Sequence, residues 1–281
     1  MKIFYEEKTF ENYFNAEIGQ GDGFFFPLGQ VQEGFIGADC AYYASDLLRW
    51  DFLGQVLNSE GANLKDIASE MDYFLKNDFN ALPDIKTNIL FQYKRPELIT
   101  TSTGSEWKHW RKEYFRYDIY DRQHILLKKI NSRFGDEVAI LYVAPAIKGI
   151  NELVLQSRAK KIVDSSNFKH IKQLDGHKRN TYISAGTYSI GCSEPQRLED
   201  IKIRDFLVEY QKIDYPDNYS AIVSFASKIK IVMQEDNYFR LPFNTLIASN
   251  EELVEFDFIY SLVCIQAFEQ ITGVKWAVFF R

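Results

Sequence analysis

Three polar residues have the types and the strand context of a hydrolytic metal site. Asp39 follows a glycine-containing bend and precedes a strand-like run, and Gln92 and Lys94 end a second β-prone run. In an extended chain alternate side chains share a face, so Gln92 and Lys94 project together while Phe91 and Tyr93 point into the opposite layer. If the Asp39 strand lies beside the second strand, a carboxylate, an amide oxygen and an amine converge at one sheet edge.

Oxygen ligands of this kind suit Mg²⁺ or Mn²⁺. Mg²⁺ binds through few protein groups and keeps water and substrate phosphate in its other positions. Such an ion would polarise a phosphate and lower the pKa of a bound water, while Lys94 places that water or stabilises the developing negative charge. The predicted chemistry is phosphodiester hydrolysis.

An ordinary structural interpretation of the same residues stays open. Gln92 to Pro96 can be the end of a buried strand that emerges into water, and Asp39 can be a turn residue that bonds to its own backbone. Q-x-K is a short pattern, so its value here comes from the strand context.

The net charge of −6 hides an uneven distribution. Between residues 86 and 179 there are 19 Lys and Arg against 10 Asp and Glu, so the positive charge is concentrated in one third of the chain. A local positive field of this kind predicts a groove for a polyanion. Solvated, lysine-rich helix faces are the alternative.

Two segments combine cations with aromatic residues, as nucleic-acid contacts do. One surrounds residues 107–116, and the other is a glycine-punctuated hairpin over 176–195. An ordinary surface hairpin, and a helix that buries its aromatic residues, are the alternatives. The candidate nucleic-acid-binding residues are Arg95, Lys108, Arg111, Lys112, Lys178, Arg179 and Tyr182.

Other site classes and compartments are excluded or disfavoured. The three cysteines lie far apart, and the histidines lack zinc-ligand spacing. There is no phosphate-binding P-loop, nucleophile elbow or kinase signature. No signal peptide and no stretch of roughly 20 apolar residues is found, so we predict a cytoplasmic protein that is not membrane-bound.

The elements that position these residues follow an α/β pattern. Helical periodicity is found over 63–76 and 122–133, and apolar runs at 88–93 and 137–143 predict buried strands. A strand, a helix and a second strand predict a parallel crossover. Near the C-terminus we expect a helix over 251–271 and a last strand over 274–280.

Asp39 followed by Gln92-Tyr93-Lys94 resembles the active-site signature of the PD-(D/E)XK nuclease superfamily, in the Q-x-K form of Mrr-like restriction enzymes. The resemblance covers about residues 33–145. It implies that Asp39 and Gln92 bind Mg²⁺, that the main chain of Tyr93 also binds it, and that Lys94 acts at the attacking water. Glu33 is a candidate upstream acid.

The resemblance also implies a fold. We expect one domain over 1–281 with three layers, in which a mixed central sheet is flanked by helices as in restriction endonucleases. Residues 33–145 form its catalytic core, and 146–281 form an α+β elaboration that contains the hairpin 176–195.

The function implied is a Mg²⁺-dependent nuclease that cleaves DNA in restriction or phage defence, for which a homodimer would suit paired strand breaks. Two alternatives stay open. One is a non-catalytic nucleic-acid-binding or assembly protein that retains the nuclease fold, and the other is a structural subunit that binds protein through aromatic residues.

Overall fold

The computed structural model describes residues 3–19, 23–25, 68–210 and 214–280, which fall into two packing units. The first unit takes the described residues of 1–25, 86–213 and 272–280, and the second takes those of 26–85 and 214–271. No described helix is both long and apolar enough to cross a membrane. The single domain over 1–281 stays a prediction.

A mixed five-stranded sheet forms the centre of the first unit. Its strands are β1 (Phe24–Phe25), β2 (Ile85–Tyr93), β5 (Val138–Pro145), β6 (Ser166–His170) and β10 (Lys275–Phe280), in the order β1-β10-β2-β5-β6. β2 runs parallel to β5, whereas β5–β6 and β1–β10 are antiparallel. β5 is buried at every position, as its unbroken apolar run predicts for a strand covered on both faces.

Helices lie on both faces of this sheet. Helix α1 (Glu7–Gly19) packs Phe14 against Phe91 and Tyr93 of β2. Helix α4 (Asp121–Phe134) connects β2 to β5 on the other face, where its His124 bonds to Tyr142. The parallel crossover, the helix over 122–133 and the strands over 88–93 and 137–143 are therefore confirmed.

A second, antiparallel sheet completes the strands of the first unit. It follows chain order through β3 (Glu97–Ile99), β4 (Tyr114–Asp118), β7 (Arg179–Tyr182), β8 (Tyr188–Cys192) and β9 (Gln196–Glu199). The predicted hairpin is confirmed as β7 and β8, whose turn contains Gly186 with φ +71°. Helices α3 (Trp107–Trp110), α5 (Ile150–Arg158) and α6 (Ile203–Glu209) complete this unit.

The described part of the second unit is helical. Its helices are α2 (Ala68–Ala81), α7 (Asn218–Glu235), α8 (Arg240–Ala248) and α9 (Asp257–Thr272). The Asn218 side chain donates through Nδ2 to the carbonyls of Phe79 and Pro83, and its Oδ1 accepts a hydrogen bond from the backbone N–H of Ile85. These bonds connect α7 to the end of α2.

Two of the predicted helices need their bounds changed. The helix predicted over 63–76 is α2, which continues to Ala81, and residues 63–67 lie outside the described ranges. The helix predicted from residue 251 starts only at Asp257, after a 3₁₀ turn over Glu251–Leu253.

The chain is thus an α/β protein with one mixed and one antiparallel sheet. Apolar periodicity found the central strands because burial on both faces leaves unbroken apolar runs. The short strands of the second sheet have mixed polarity, and the glycine-punctuated hairpin is the part of this sheet that the sequence predicted.

Gly191 of β8 tests the packing of the hairpin. A Cβ at this position would lie 2.6 Å from the His177 ring, which is buried. We expect Gly191→Ala to lower the free energy of unfolding by about 1–3 kcal/mol, the usual cost of overpacking. Urea denaturation measures the change. If Gly191→Ala costs as much with His177→Ala in the background as without it, the clash with His177 is not the cause.

Candidate functional site

A pocket of about 260 Å³ opens at the carboxyl end of β2. It lies wholly within the first unit, where residues that follow β2 meet α1, the end of β4 and the start of α4. Its lining is almost entirely charged or aromatic and consists of Glu7, Lys94, Arg95, Pro96, Glu97, Arg116, Tyr117, Asp118 and Tyr120.

Lys94 is the buried cation of this pocket. Its backbone amide donates to the Val143 carbonyl at 2.8 Å, which carries the β2–β5 ladder one residue beyond β2 and holds the side chain against α4. Only 4% of the residue is exposed. Its Nζ donates to Gln123 Oε1 at 3.2 Å and lies 4.5 Å from the centroid of the Tyr120 ring.

The surroundings of Lys94 lower the pKa of its side chain. No described carboxylate lies within 4.0 Å of Nζ, so burial acts without a direct ion pair. Burial lowers the pKa of Lys94 to about 8, although the charges of Glu7 and Asp118 oppose the shift. Burial also raises the pKa of Glu7, whose carboxylate accepts the Arg95 amide at 3.0 Å.

Gln92 is also buried, with 3% of its surface exposed. Its Nε2 donates to the carbonyl of Tyr93 at 2.9 Å, and its Oε1 has no described hydrogen-bond donor. The Tyr93 ring packs on α1, and its hydroxyl bonds to Asn15. The predicted alternation is confirmed for Tyr93 and Lys94, which lie on opposite faces of the sheet.

The predicted acids Asp39 and Glu33 lie outside the described residues. Within the described part of the chain, β2 has β10 on one edge and β5 on the other. No group of three or more His, Cys, Asp or Glu side chains in that part could hold a metal ion. The orphaned Gln92 Oε1 is a hard oxygen of the kind that Mg²⁺ binds, so the residue fits its predicted role as one ligand.

Seven of the nine described pocket residues were not predicted as site residues, and three of the seven interact with Lys94. Glu7 comes from the first turn of α1, Asp118 from the end of β4, and Tyr120 from the residue before α4. Asp118 could have been found as a polar residue at a strand end. Glu7 carries no local signal, because its position beside Lys94 depends on how α1 packs.

The predicted nucleic-acid contacts divide into exposed and paired cations. Exposed cations are Lys108, Arg111, Lys112 and Lys178, and their role stays a prediction. Arg95 pairs with Glu6 at 2.6 Å, and Arg179 pairs with Asp118 and Glu106 at 2.6 and 2.9 Å. Arg95 and Arg179 are therefore less able than the exposed cations to neutralise phosphates.

The prediction for Tyr182 is wrong. The residue has no exposed surface, its hydroxyl donates to the Pro145 carbonyl at 2.9 Å, and its ring stacks on Phe115. It therefore cannot stack on a base without unfolding of the sheet. The error arises because tyrosine suits both the buried and the exposed face of a strand.

Comparison with known proteins finds no family model, no curated protein and no solved structure that matches this chain.

Burial of Lys94 has a measurable effect on stability. The pKa of Lys94 is lower in the folded chain than in the unfolded chain, so the unfolded chain binds more protons between pH 8 and about 10.5. Below pH 8 the buried ammonium lowers the free energy of unfolding by its full cost. This cost disappears as the pH rises from 8 to about 10.5. We expect Lys94→Met to raise the free energy of unfolding at pH 7 by about 1–3 kcal/mol.

Urea denaturation of wild type and Lys94→Met at pH 7 and pH 10 measures this effect. The advantage of the variant should shrink at pH 10. Lys128→Met removes an exposed lysine of α4 and should show no comparable gain at either pH. If Lys94→Met is less stable than wild type at pH 7, favourable interactions of the ammonium outweigh the cost of burying it, and this account is wrong.

Proposed function

We propose that this chain is a Mg²⁺-dependent nuclease that hydrolyses DNA phosphodiester bonds, with a restriction-endonuclease-like core. The proposal depends on one observation: a buried lysine at the end of β2 faces a pocket together with the carboxylates Glu7 and Asp118. The parallel crossover β2–α4–β5 and the resemblance of Asp39 and Gln92-Tyr93-Lys94 to the PD-(D/E)XK signature support it.

Lys94 and Glu7 of the pocket share the proton transfers of hydrolysis. The metal ligands are the predicted Asp39 and Gln92, which are not among the described residues that line the pocket. Lys94 exchanges a proton near neutral pH, so it is able to orient an attacking water and then stabilise negative charge on the phosphate. Glu7 has a raised pKa and is able to take a proton from that water. Asp39 and the Gln92 Oε1 would hold the ion. When bound, Mg²⁺ supplies polarisation of the phosphate and a lowered pKa for water.

The exposed cations support DNA as the polyanion. Lys108, Arg111 and Lys112 follow one another at the surface after β3, and Lys178 precedes β7 of the same sheet. Cations of this kind contact phosphates without reading sequence, so binding should weaken steeply as salt rises. Restriction or phage defence is the setting that the family resemblance suggests.

Cleavage of plasmid and of linear duplex DNA in the presence of a divalent ion tests the function. We expect cleavage with Mg²⁺ or Mn²⁺ and none with EDTA. Asp39→Ala should lower the cleavage rate at least about 100-fold, since a lost metal ligand removes several kcal/mol of charge stabilisation. Asp136→Ala, which removes an exposed carboxylate after α4, should cleave like wild type.

Two outcomes would count against hydrolysis. Cleavage by Asp39→Ala at the wild-type rate would rule out Asp39 as a metal ligand. Failure of the wild type to cleave DNA would rule out the nuclease function. The second candidate is a non-catalytic nucleic-acid-binding or assembly protein, which the exposed cations Lys108, Arg111, Lys112 and Lys178 support equally well. That candidate predicts salt-dependent DNA binding without cleavage.

A further inference from the structure

Tyr120 presents an exposed aromatic ring at the mouth of the pocket at the end of β2. Its side chain lines that pocket, yet 67% of the residue is exposed. Lys94 Nζ lies over the ring, 4.5 Å from its centroid, so one face of the ring is turned towards the pocket. No ring of another described residue packs on Tyr120. The face that points away from Lys94, its outer face, is therefore open to a ligand.

The backbone on both sides of this ring is held by hydrogen bonds. The Ile119 amide donates to the Lys178 carbonyl at 2.9 Å, beyond the last β4–β7 pair, and the His124 amide donates to the Tyr120 carbonyl at 2.9 Å. An aromatic ring on a fixed backbone has only two side-chain torsions to order when it binds a partner, so the entropic cost is low. A single exposed aromatic residue is ordinary, and the groups around Tyr120 are what indicate its role.

The groups around the ring suit a nucleotide. On the inner side lies Lys94, in the pocket where we propose hydrolysis. Lys178 is an exposed cation, and its bond to Ile119 places its main chain directly beside the segment that carries the ring. Single-stranded nucleic acid is bound by aromatic rings among cations, because bases stack on the rings while the cations contact phosphates. The same combination is found here.

The tyrosines of the neighbouring hairpin do not offer such a face. The Tyr188 ring stacks on Trp110 with centroids 5.4 Å apart, and the Arg197 guanidinium lies 4.1 Å from the centroid of the Tyr188 ring. Tyr182 is fully buried. A base could reach either of these tyrosines only by displacing a neighbour, whereas Tyr120 needs no such change.

We propose that the outer face of Tyr120 stacks on an unpaired base of the substrate, and that single-stranded DNA is the preferred substrate. Inside a duplex both faces of each base are covered by its neighbours, so a duplex offers a base face only after one nucleotide flips out. This inference rests on the proposed nuclease function and deepens it, because it names the form of DNA that the pocket takes. Tyr120 binds the nucleotide beside the reacting phosphate and transfers no proton.

Photo-cross-linking tests the contact directly. On irradiation 5-iododeoxyuridine loses its iodine and forms a bond to an aromatic side chain that it stacks on. The full chain is irradiated, with Ca²⁺ in place of Mg²⁺, in the presence of a single-stranded oligonucleotide that carries this base at internal positions, or of the same strand in a fully paired duplex. Peptide mapping locates the attached nucleotide. We expect attachment at Tyr120 with the single strand, and about 10-fold less with the duplex, where a base must first be opened.

Affinities of three variants, measured by fluorescence anisotropy in Ca²⁺, test the energetic effect. Tyr120→Ala should weaken binding of the single strand about 5- to 150-fold, the range for loss of one stacked base. It should weaken duplex binding less, because stacking there is offset by the cost of opening a pair. Tyr120→Phe keeps the aromatic face and should bind like wild type. Tyr73→Ala is the matched control, since Tyr73 of α2 is 64% exposed and does not line the pocket.

The results separate this proposal from the proposed hydrolysis. Attachment at other residues, equal attachment with single strand and duplex, or unchanged affinity of Tyr120→Ala for the single strand would overturn the stacking proposal even if the chain cleaves DNA. Attachment at Tyr120 in a chain that cleaves no DNA with Mg²⁺ would support the base-binding site while rejecting the nuclease. Either proposal can therefore fail alone.

Discussion

Lys94→Met is expected to lower the rate of Mg²⁺-dependent DNA cleavage by about two to four orders of magnitude. Losses of this size follow when a group that moves a proton and stabilises charge is removed. Methionine fills the same buried space, so the pocket wall formed by Tyr120 and Tyr142 should persist. Single-turnover cleavage of a labelled duplex gives the rate, and DNA affinity in Ca²⁺ shows whether binding is retained.

The controls separate chemistry from binding and folding. Lys128→Met removes an exposed lysine of α4 and should keep the wild-type rate. Urea denaturation of Lys94→Met at pH 7, where we expect a gain in stability, shows whether unfolding contributes to the loss of activity. A variant that cleaves within about threefold of wild type would show that Lys94 has no part in the chemistry.

Asp200→Ala is expected to lower the free energy of unfolding by about 3–5 kcal/mol. Asp200 pairs with Lys169 at 3.1 Å, and the two side chains are 2% and 0% exposed. Its carboxylate also accepts the amides of Phe168, Gly186 and Ile201 at 2.8, 2.6 and 3.2 Å. Removal of the carboxylate leaves the buried Lys169 ammonium without its ion-pair partner and leaves amide donors unpaired. Loss of one partner of a buried ion pair is strongly destabilising for this reason.

Glu199→Ala is the matched control. Glu199 precedes Asp200 in sequence, but its side chain is 68% exposed and its one ion pair among the described residues is with Arg197. We expect this change to stay within about 0.5 kcal/mol. Lys169→Met in the Asp200→Ala background should restore part of the loss by removing the unpaired charge. Equal effects of the Asp200 and Glu199 changes in urea denaturation would contradict this account.

The two lysines illustrate different reasons for burying a charge. Lys169 has an aspartate partner that is itself held by three amides, an arrangement that ties β6 to the loop after β9 and to the β7–β8 turn. Lys94 has no such partner among the described residues and instead faces a pocket. A buried amine that lowers stability and faces a pocket is consistent with the proposed function, because functional sites often retain groups that cost stability.

Periodicity and strand context were sufficient for the centre of the fold. Helix α4 and the strands β2 and β5 follow from local apolar patterns, since a helix or strand buried by a large sheet must repeat its apolar residues with a fixed period. The same reasoning placed Lys94 at a strand end, opposite the layer that Tyr93 enters. It also predicted the hairpin, because glycine allows the positive φ at Gly186.

The surroundings of Lys94 could not be obtained in this way. Glu7 lies 87 positions before it, and no local pattern states which carboxylate a distant helix brings to a strand end. Tyr182 failed for a related reason, because a strand of mixed polarity does not reveal which face the second layer covers. Local propensity depends on neighbours in the chain, whereas burial, ion pairing and pKa depend on groups that meet only when the layers pack.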